Sequence, residues 1–227
     1  MKRLALALLS MAACSSFGTT SSEDAPPSPP LDAGVETSID AAPPMQDAGG
    51  DVDRGDGPSS SCPGDLDCQR VVFVSSILYS NPLGGIDGAD EACNALAAAS
   101  THPRVKGRKF LAWLATSNVP PTSRMKAGSK SYIRPDQEPV ATNWPALLQG
   151  PLLNPINVDE HGNTPTDTND VWTGASSNGS FAGPACGGWG KTDGSGTVGR
   201  RDQTTDLWSK ASEIACSTYA HIYCFEE

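Results

Sequence analysis

The alternation of apolar and polar residues predicts four stretches of β-strand in the C-terminal three quarters of the chain. Residues 71–76, "VVFVSS", are mostly β-branched or aromatic and predict a short buried strand. Residues 109–116, "KFLAWLAT", alternate as a second strand, and residues 132–142 predict a hairpin around a Pro-Asp pair. Residues 221–226, "HIYCFE", are a strand by composition.

Two helices are predicted between these strands. Asp87 follows the turn "NPLGG" and is the expected N-cap of the first helix. One face of that helix carries mostly small residues at helical spacing, which allow close packing on a sheet: Ala89, Cys93, Leu96, Ala97 and Ser100. The second helix spans residues 143–150, with Asn143 as cap, Pro145 in the first turn and Gly150 as stop. Because the region that follows is rich in Gly, Asn, Asp and Thr, we expect one α+β domain, residues 62–227, with an unusual share of loop.

The N-terminus has the pattern of an export signal. A short basic start and a short apolar run precede Cys14, and the run is far below the roughly 18–20 residues that a membrane-spanning helix needs. The region resembles a bacterial lipobox, in which Cys14 becomes the lipidated N-terminus after removal of residues 1–13, although Met11 stands where leucine is usual. The alternative is an ordinary secretory signal cleaved near Cys14. Ser15 and Ser16 favour the outer membrane, so we expect an outer membrane lipoprotein that faces the periplasm or the cell surface.

Residues 14–61 have a composition that cannot form a core. Nine acidic residues face one basic residue, Arg54, among many Pro, Ala, Ser and Gly. Too little apolar surface is available to offset the entropy of ordering, so a disordered tether is expected. The whole chain has a net charge of −10. Neither the tether nor the domain has the basic excess that phosphate contacts require, and nucleic acid is not an expected partner.

Six cysteines remain after Cys14: Cys62, Cys68, Cys93, Cys186, Cys216 and Cys224. An even number in an exported chain predicts a disulfide framework, but six cysteines allow fifteen pairings and their spacing does not choose among them. Zinc is the competing explanation. No C-x-x-C pair occurs and histidine is scarce, so zinc is not expected.

Several of these segments occur together in the order seen in a known fold. They resemble endostatin, the C-terminal domain of certain collagens, and resemble still more a family of bacterial lipoproteins of unknown function. The resemblance covers nearly all of residues 71–226 and is carried by "GGIDGADEAC", "FLAWLATS", "NWPALLQGPL", "VWTGASSNG", "CGGW" and "CSTYAHIYCFE". It implies a C-type-lectin-like fold: an antiparallel sheet with flanking helices and long loops, whose first and last strands lie side by side.

The resemblance also implies a disulfide pairing. In such folds the helix cysteine joins the last strand, which pairs Cys93 with Cys224. The two loop cysteines join each other, which pairs Cys186 with Cys216. Cys62 and Cys68 then remain to close a small N-terminal loop, comparable to the N-terminal bridge of lectin-like domains of the long form.

The metal and sugar sites of related folds do not carry over. The start of the domain lacks the histidines of endostatin-like zinc binding, and neither "QEPV" nor "LWSK" fits the motifs of calcium-dependent sugar binding. The loop of residues 156–170 contains Asp159, Glu160, Asp167 and Asp170. Their oxygens suit a structural calcium ion, and the alternative is that they form turns and face water.

Candidate ligand-binding residues fall into two groups. A basic run of Arg104, Lys106, Arg108 and Lys109 can hold an anionic glycan or phosphate, or can be a solvated loop. Trp208 lies in a looser segment and is predicted to be exposed as a stacking surface. The other tryptophans, Trp113, Trp144, Trp172 and Trp189, are expected in the core.

Catalysis is the less favoured function. No nucleophile elbow, zinc-protease motif or phosphate loop occurs. His161 beside two acidic residues can act as a general base, but no nucleophile is paired with it, and cysteine chemistry would need a free thiol pair. We therefore expect a non-catalytic module that binds a glycan, a matrix polymer or a protein through the loops after residue 150. A structural envelope protein without a small ligand and an enzyme are the alternatives.

Overall fold

The computed structural model describes residues 68–227. The predicted signal peptide, Cys14, the tether and Cys62 lie outside these residues.

The described residues form eight short strands, one long helix and three short helices. The strands are β1 (Gln69–Val74), β2 (Phe110–Ala112), β3 (Ser131–Ile133), β4 (Pro139–Ala141), β5 (Asp170–Trp172), β6 (Ser195–Arg200), β7 (Ser212–Ala215) and β8 (His221–Glu226). The helices are α1 (Gly85–Ala99), α2 (Pro121–Arg124), α3 (Trp144–Gln149) and α4 (Cys186–Trp189). A 3-10 turn spans Asp206–Trp208. The predicted α+β class is confirmed.

All eight strands belong to one sheet, whose order is β4-β3-β1-β8-β5-β6-β7, with β2 also paired to β8. The sheet is mixed, because β1 pairs with β3 and β5 pairs with β8 in parallel. The expectation of an antiparallel sheet is therefore wrong in part. The long connections between these partners allow the crossovers that parallel pairing needs.

The first and last strands of the described chain lie side by side. β1 and β8 are antiparallel, with Phe73 opposite Cys224, and β8 also pairs with β2. β1, β2 and β3 therefore all begin at one end of the sheet, where β8 ends.

The sheet buries apolar side chains on both faces. α1 packs on one face through Ala89, Cys93, Leu96 and Ala97, as its spacing predicted, and Ser100 is buried as well. On the other face lies an aromatic cluster that contains Trp113, Trp144, Trp208, Tyr132, Tyr223 and Phe225. The α1 side carries large rings as well, namely Phe73, Phe110, Trp172 and Trp189.

The predicted ends of the two helices agree with the structure for α3 but not for the start of α1. Asp87 is not the cap of α1, because the helix begins earlier, after Gly84 in a left-handed conformation, and Asp87 lies in the first turn. Two consecutive glycines permit this earlier start. The second prediction is confirmed: the side chain of Asn143 accepts a hydrogen bond from the Ala146 amide, Pro145 follows, and Gly150 ends α3.

Two disulfides fasten the fold, and both are the pairs that the resemblance implied. Cys93–Cys224 joins α1 to β8, and Cys186–Cys216 joins α4 to the segment after β7. Each has a Cα–Cα distance of 5.6 Å, which is typical of such bridges. Cys68 is also disulfide-bonded, and its expected partner, Cys62, lies outside the described residues.

The region expected to be mostly loop contains β5, β6 and β7 and the four-residue α4. Within residues 68–227, no helix has the length and hydropathy needed to cross a membrane.

Candidate functional site

A pocket opens where three loops meet beside the end of α3. Its cavity volume is about 370 Å³, at the small end of the range for small-molecule sites. We call it the loop-face pocket; its lining residues are Leu148, Gln149, Gly150, Pro151, Ser177, Thr205 and Asp206. Four of these seven residues, Pro151, Ser177, Thr205 and Asp206, lie in the loops after residue 150, where the sequence predicted ligand binding.

Backbone hydrogen bonds join the walls of the pocket. The Leu152 amide donates to the Thr204 carbonyl at 2.7 Å, which ties the chain after α3 to the segment before the 3-10 turn. The Leu153 amide donates to the Val140 carbonyl and holds the same segment against β4. Two of the three walls are therefore fixed to each other and to the sheet.

Hydrogen bonds from three side chains of the core also hold the segment that carries Thr205 and Asp206. Thr173 donates to the Ser209 carbonyl at 2.6 Å, Tyr223 donates to the Trp208 carbonyl, and the Trp113 indole donates to the Ser209 hydroxyl at 2.8 Å. Gly199 allows this close approach, because a Cβ there would lie 1.9 Å from the Trp208 carbonyl oxygen. These contacts join the wall that carries Thr205 and Asp206 to the packed core.

The third wall is the hairpin that carries Ser177. Its ends pair at Ala175 and Phe181, and Gly179 adopts a φ of 74°. A Cβ at Gly179 would lie 2.7 Å from a Thr122 methyl and 3.3 Å from a Leu148 methyl, so glycine lets the hairpin tip rest on both side chains.

The pocket is lined by both apolar and polar residues. Leu148 and Pro151 supply apolar surface, while Gln149, Ser177 and Thr205 supply amide and hydroxyl groups. Asp206 is the only charged residue of the lining, and it is exposed. The lining suits a neutral or cationic group and disfavours an anion.

The prediction that Trp208 is an exposed stacking surface is wrong. Its side chain is fully buried and packs against Trp113, Tyr223 and Phe225 with ring centroids 5.0–6.3 Å apart. The looser segment around Trp208 suggested exposure, but the 3-10 turn directs the ring inward onto the aromatic cluster. Trp113, Trp144, Trp172 and Trp189 are buried, as predicted.

The basic run does not form one binding surface. Arg108 makes two 2.7 Å contacts with the Glu226 carboxylate, and Arg104 donates to the side chains of Gln69 and Gln137. Lys106 and Lys109 are exposed. The two arginines are thus engaged by the protein, which leaves two lysines of the four residues available to a ligand.

Protein donors occupy the four carboxylates proposed for calcium. Asp159 accepts from the amides of His161 and Asn163, and Glu160 accepts from Ser76. Asp167 lies 2.8 Å from a ring nitrogen of His221, while Asp170 accepts from Thr168. Nowhere in residues 68–227 do three or more His, Cys, Asp or Glu side chains converge as metal ligands. The structure does not bring these four residues together as an ion site.

His161 and Ser76 both contact the buried carboxylate of Glu160. The Ser76 hydroxyl donates to Glu160 Oε1, and His161 Nε2 lies 3.4 Å from the same oxygen. In a serine-hydrolase triad the imidazole lies between the hydroxyl and the carboxylate and takes the serine proton. Here the Glu160 carboxylate lies between the Ser76 hydroxyl and the His161 ring.

Burial and the nearby Glu160 carboxylate together raise the pKa of Tyr79 to about 12.

Comparison with known proteins adds no relative: no known protein family matches the chain, and no curated protein sequence matches it.

The sequence prediction named the loops after residue 150 but none of the residues that line the pocket. Gln149 and Gly150 were visible only as the end of a helix, and Ser177, Thr205 and Asp206 lie in polar segments without a motif. They become neighbours through sheet order and loop closure, which no local spacing encodes.

Proposed function

We propose that the chain is an exported, lipid-anchored binding module with a C-type-lectin-like, endostatin-like domain and no catalytic role. Its ligand is a neutral saccharide unit of a glycan or matrix polymer, or a neutral or basic protein segment. That ligand binds in the loop-face pocket, outside the membrane that Cys14 contacts through its lipid.

The arrangement of strands and disulfides supports the lectin-like part of the proposal. β1 lies beside β8, Cys93–Cys224 joins the long helix to the last strand, and Cys186–Cys216 joins two loop segments. These three features are the ones that the resemblance implied. The mixed order of the sheet is the feature that the resemblance did not include.

The loop-face pocket carries the binding part of the proposal. Its walls are cross-linked by hydrogen bonds and rest on a packed aromatic cluster, so little ordering entropy is lost on binding. Its lining combines apolar side chains with amide and hydroxyl groups, and a sugar ring likewise presents both CH groups and hydroxyls. The Asp206 carboxylate selects against sulfated or uronic-acid glycans.

A glycan and matrix-protein array, probed with the full exported chain with and without calcium, tests the proposal. We expect binding to neutral glycans or basic protein segments that is unchanged by calcium chelation, since no ion site is proposed. Binding only to anionic glycans, or only with calcium, would contradict the proposed pocket chemistry.

A pair of variants assigns any binding to the pocket. Thr205→Trp fills the cavity from an exposed position, and Thr218→Trp adds the same side chain at an exposed position in the β7–β8 connection. We expect Thr205→Trp to lower the affinity at least tenfold and Thr218→Trp to leave it unchanged. Equal affinities for the two variants would place the ligand elsewhere.

A further inference from the structure

The loop-face pocket carries an acidic group that no neighbouring side chain pairs with. Asp206 is exposed, and its carboxylate makes no ion pair or hydrogen bond with any other residue of the range 68–227. The nearest basic residue that follows in the sequence, Lys210, donates its backbone amide to the Asp206 carbonyl but forms no ion pair with the carboxylate. The lining of the cavity therefore offers a negative charge to a cationic group of a ligand.

Exposed apolar side chains are concentrated in the three segments that wall the pocket. Among the described residues six large apolar side chains are exposed, and three of them, Leu153, Phe181 and Leu207, belong to these segments. Leu207 is 42% exposed and directly follows Asp206 in the 3-10 turn. Leu148 adds apolar surface within the pocket. Apolar surface thus lies beside an unpaired carboxylate.

The pocket has no aromatic ring on which a sugar could stack. None of its seven lining residues is aromatic, and all five tryptophans of the chain are buried. Tyr219 is exposed, but it lies in the β7–β8 connection and does not belong to the lining. The negative face of an aromatic ring is the surface that attracts the CH groups of a sugar. Of the two ligand classes of the proposed function, the lining therefore favours a protein segment.

A long basic side chain combines the two kinds of chemistry that this lining offers. Lysine and arginine pack an apolar stem on apolar surface, while the charged head reaches a polar group or water. The cavity of about 370 Å³ has room for one such side chain, and backbone hydrogen bonds join two of its walls.

We infer that the loop-face pocket takes a lysine or arginine side chain of a protein partner. The charged head pairs with Asp206, the stem packs on Leu148 and Pro151, and an apolar neighbour in the partner packs on Leu207. This inference rests on the proposed function, because it specifies the ligand of the same pocket.

Selection from a random peptide library, with the immobilised full exported chain, tests this preference. We expect the retained peptides to carry Lys or Arg at one position, next to an apolar residue, about fivefold more often than the starting library. Their binding should weaken as NaCl rises from about 20 mM to about 1 M, because salt screens an exposed ion pair. A selection without a preferred basic position, or one that retains no peptide, would overturn the inference.

Charge variants assign the preference to Asp206. Asp206→Asn keeps the size of the side chain and removes its charge, and Asp193→Asn does the same at an exposed, unpaired position in the α4–β6 connection. For a selected basic peptide, we expect Asp206→Asn to weaken binding about fivefold and Asp193→Asn to leave it unchanged. Asp206→Lys should instead select peptides with Asp or Glu at the position of the basic residue. Equal affinities in the two asparagine variants, or selection of basic peptides by Asp206→Lys, would contradict the role of Asp206.

The competing ligand is a neutral saccharide, and Thr205→Trp separates the two possible failures. We expect Thr205→Trp and Asp206→Asn to weaken the binding of the same peptides, with Thr218→Trp as the unaffected control. Neutral glycans whose binding is lost in Thr205→Trp but unchanged in Asp206→Asn would keep the proposed pocket and overturn the inference. Basic peptides that bind Thr205→Trp as well as they bind the unaltered chain would overturn both the pocket and the inference.

Discussion

The two neighbouring tryptophans Trp113 and Trp208 show how much a single buried polar atom matters. Both side chains are fully buried and their rings are in contact. The Trp113 indole donates to the Ser209 hydroxyl, whereas, among the described residues, the Trp208 indole nitrogen has no hydrogen-bond partner. The Trp208 side chain is therefore held in place by ring packing alone, whereas the Trp113 side chain is held by packing and by a hydrogen bond.

Replacing each of these tryptophans with phenylalanine should separate the two contributions. Both Trp113→Phe and Trp208→Phe leave a cavity, which lowers the free energy of unfolding. Trp113→Phe also leaves Ser209 without its donor, so we expect it to cost about 1 kcal/mol more than Trp208→Phe. Urea unfolding followed by circular dichroism measures the difference. A larger loss for Trp208→Phe would mean that its indole nitrogen has a partner.

At the scale of the element, α4 is a single left-handed turn. Cys186, Gly187, Gly188 and Trp189 have φ values of 47°, 60°, 73° and 66°. Cys186 and Trp189 are not glycine, and this conformation lowers the stability of the fold by about 1–2 kcal/mol for each of them. The turn persists because the Cys186–Cys216 disulfide, the Trp189 indole bond to the Ala115 carbonyl and the Leu83 amide bond to the Trp189 carbonyl all hold it.

Alanine at Gly188 should destabilise the fold through the backbone alone. A Cβ there would meet no atom within 4 Å, but φ stays positive, so we expect a loss of about 1–2 kcal/mol. Gly187→Ala should cost at least as much, because its Cβ also meets the Lys191 side chain. Gly190→Ala is the control: its φ is −111° and its Cβ makes only ordinary contact. Thermal unfolding at neutral pH measures all three, and an equal loss for Gly190→Ala would argue against the left-handed turn.

At the scale of the whole molecule, two disulfides compensate for short strands and long loops. Cys93–Cys224 closes 131 residues and Cys186–Cys216 closes 30. In the chain-entropy description, a disulfide that closes a longer loop lowers the conformational entropy of the unfolded chain by a larger amount. The bridge from α1 to β8 therefore contributes more to the stability of the native state than the bridge between the loops.

Removing the two disulfides one at a time should reveal this order. We expect Cys93→Ala/Cys224→Ala to lose about 5 kcal/mol and Cys186→Ala/Cys216→Ala about 3.6 kcal/mol. Denaturant unfolding of each exported double variant gives the two values. The reverse order would show that the strain of α4, rather than loop closure, determines what the bridges contribute.

Alkaline pH should weaken the whole fold through its buried tyrosines. Burial raises the pKa of Tyr132, of Tyr223 and, with help from Glu160, of Tyr79, the last to about 12. Above pH 10 the unfolded chain loses these protons while the native state keeps them, so the free energy of unfolding falls as the pH rises from 10 to about 12. Unfolding at several pH values should show a smaller slope in Tyr79→Phe than in the unaltered chain. An unchanged slope in Tyr79→Phe would contradict the assignment.

The sequence predicts those parts of the molecule whose signals are local. The apolar run at β1, the small-residue face of α1, the cap and stop of α3 and the composition of β8 all appear in the structure. β6, "SGTVGR", has few large apolar residues and forms only because β5 and β7 pair with it. The loop-face pocket depends on the same long-range pairing, as does the burial of Trp208.

The most direct test of the account is a hydrogen-exchange footprint of the full exported chain with a saccharide or peptide selected from the array. We predict slower exchange at the amides of residues 148–150, 177 and 205–206, and little change at residues 104–109 and 126–130. A footprint confined to residues 104–109 and 126–130, with no protection around the loop-face pocket, would contradict the proposed binding site.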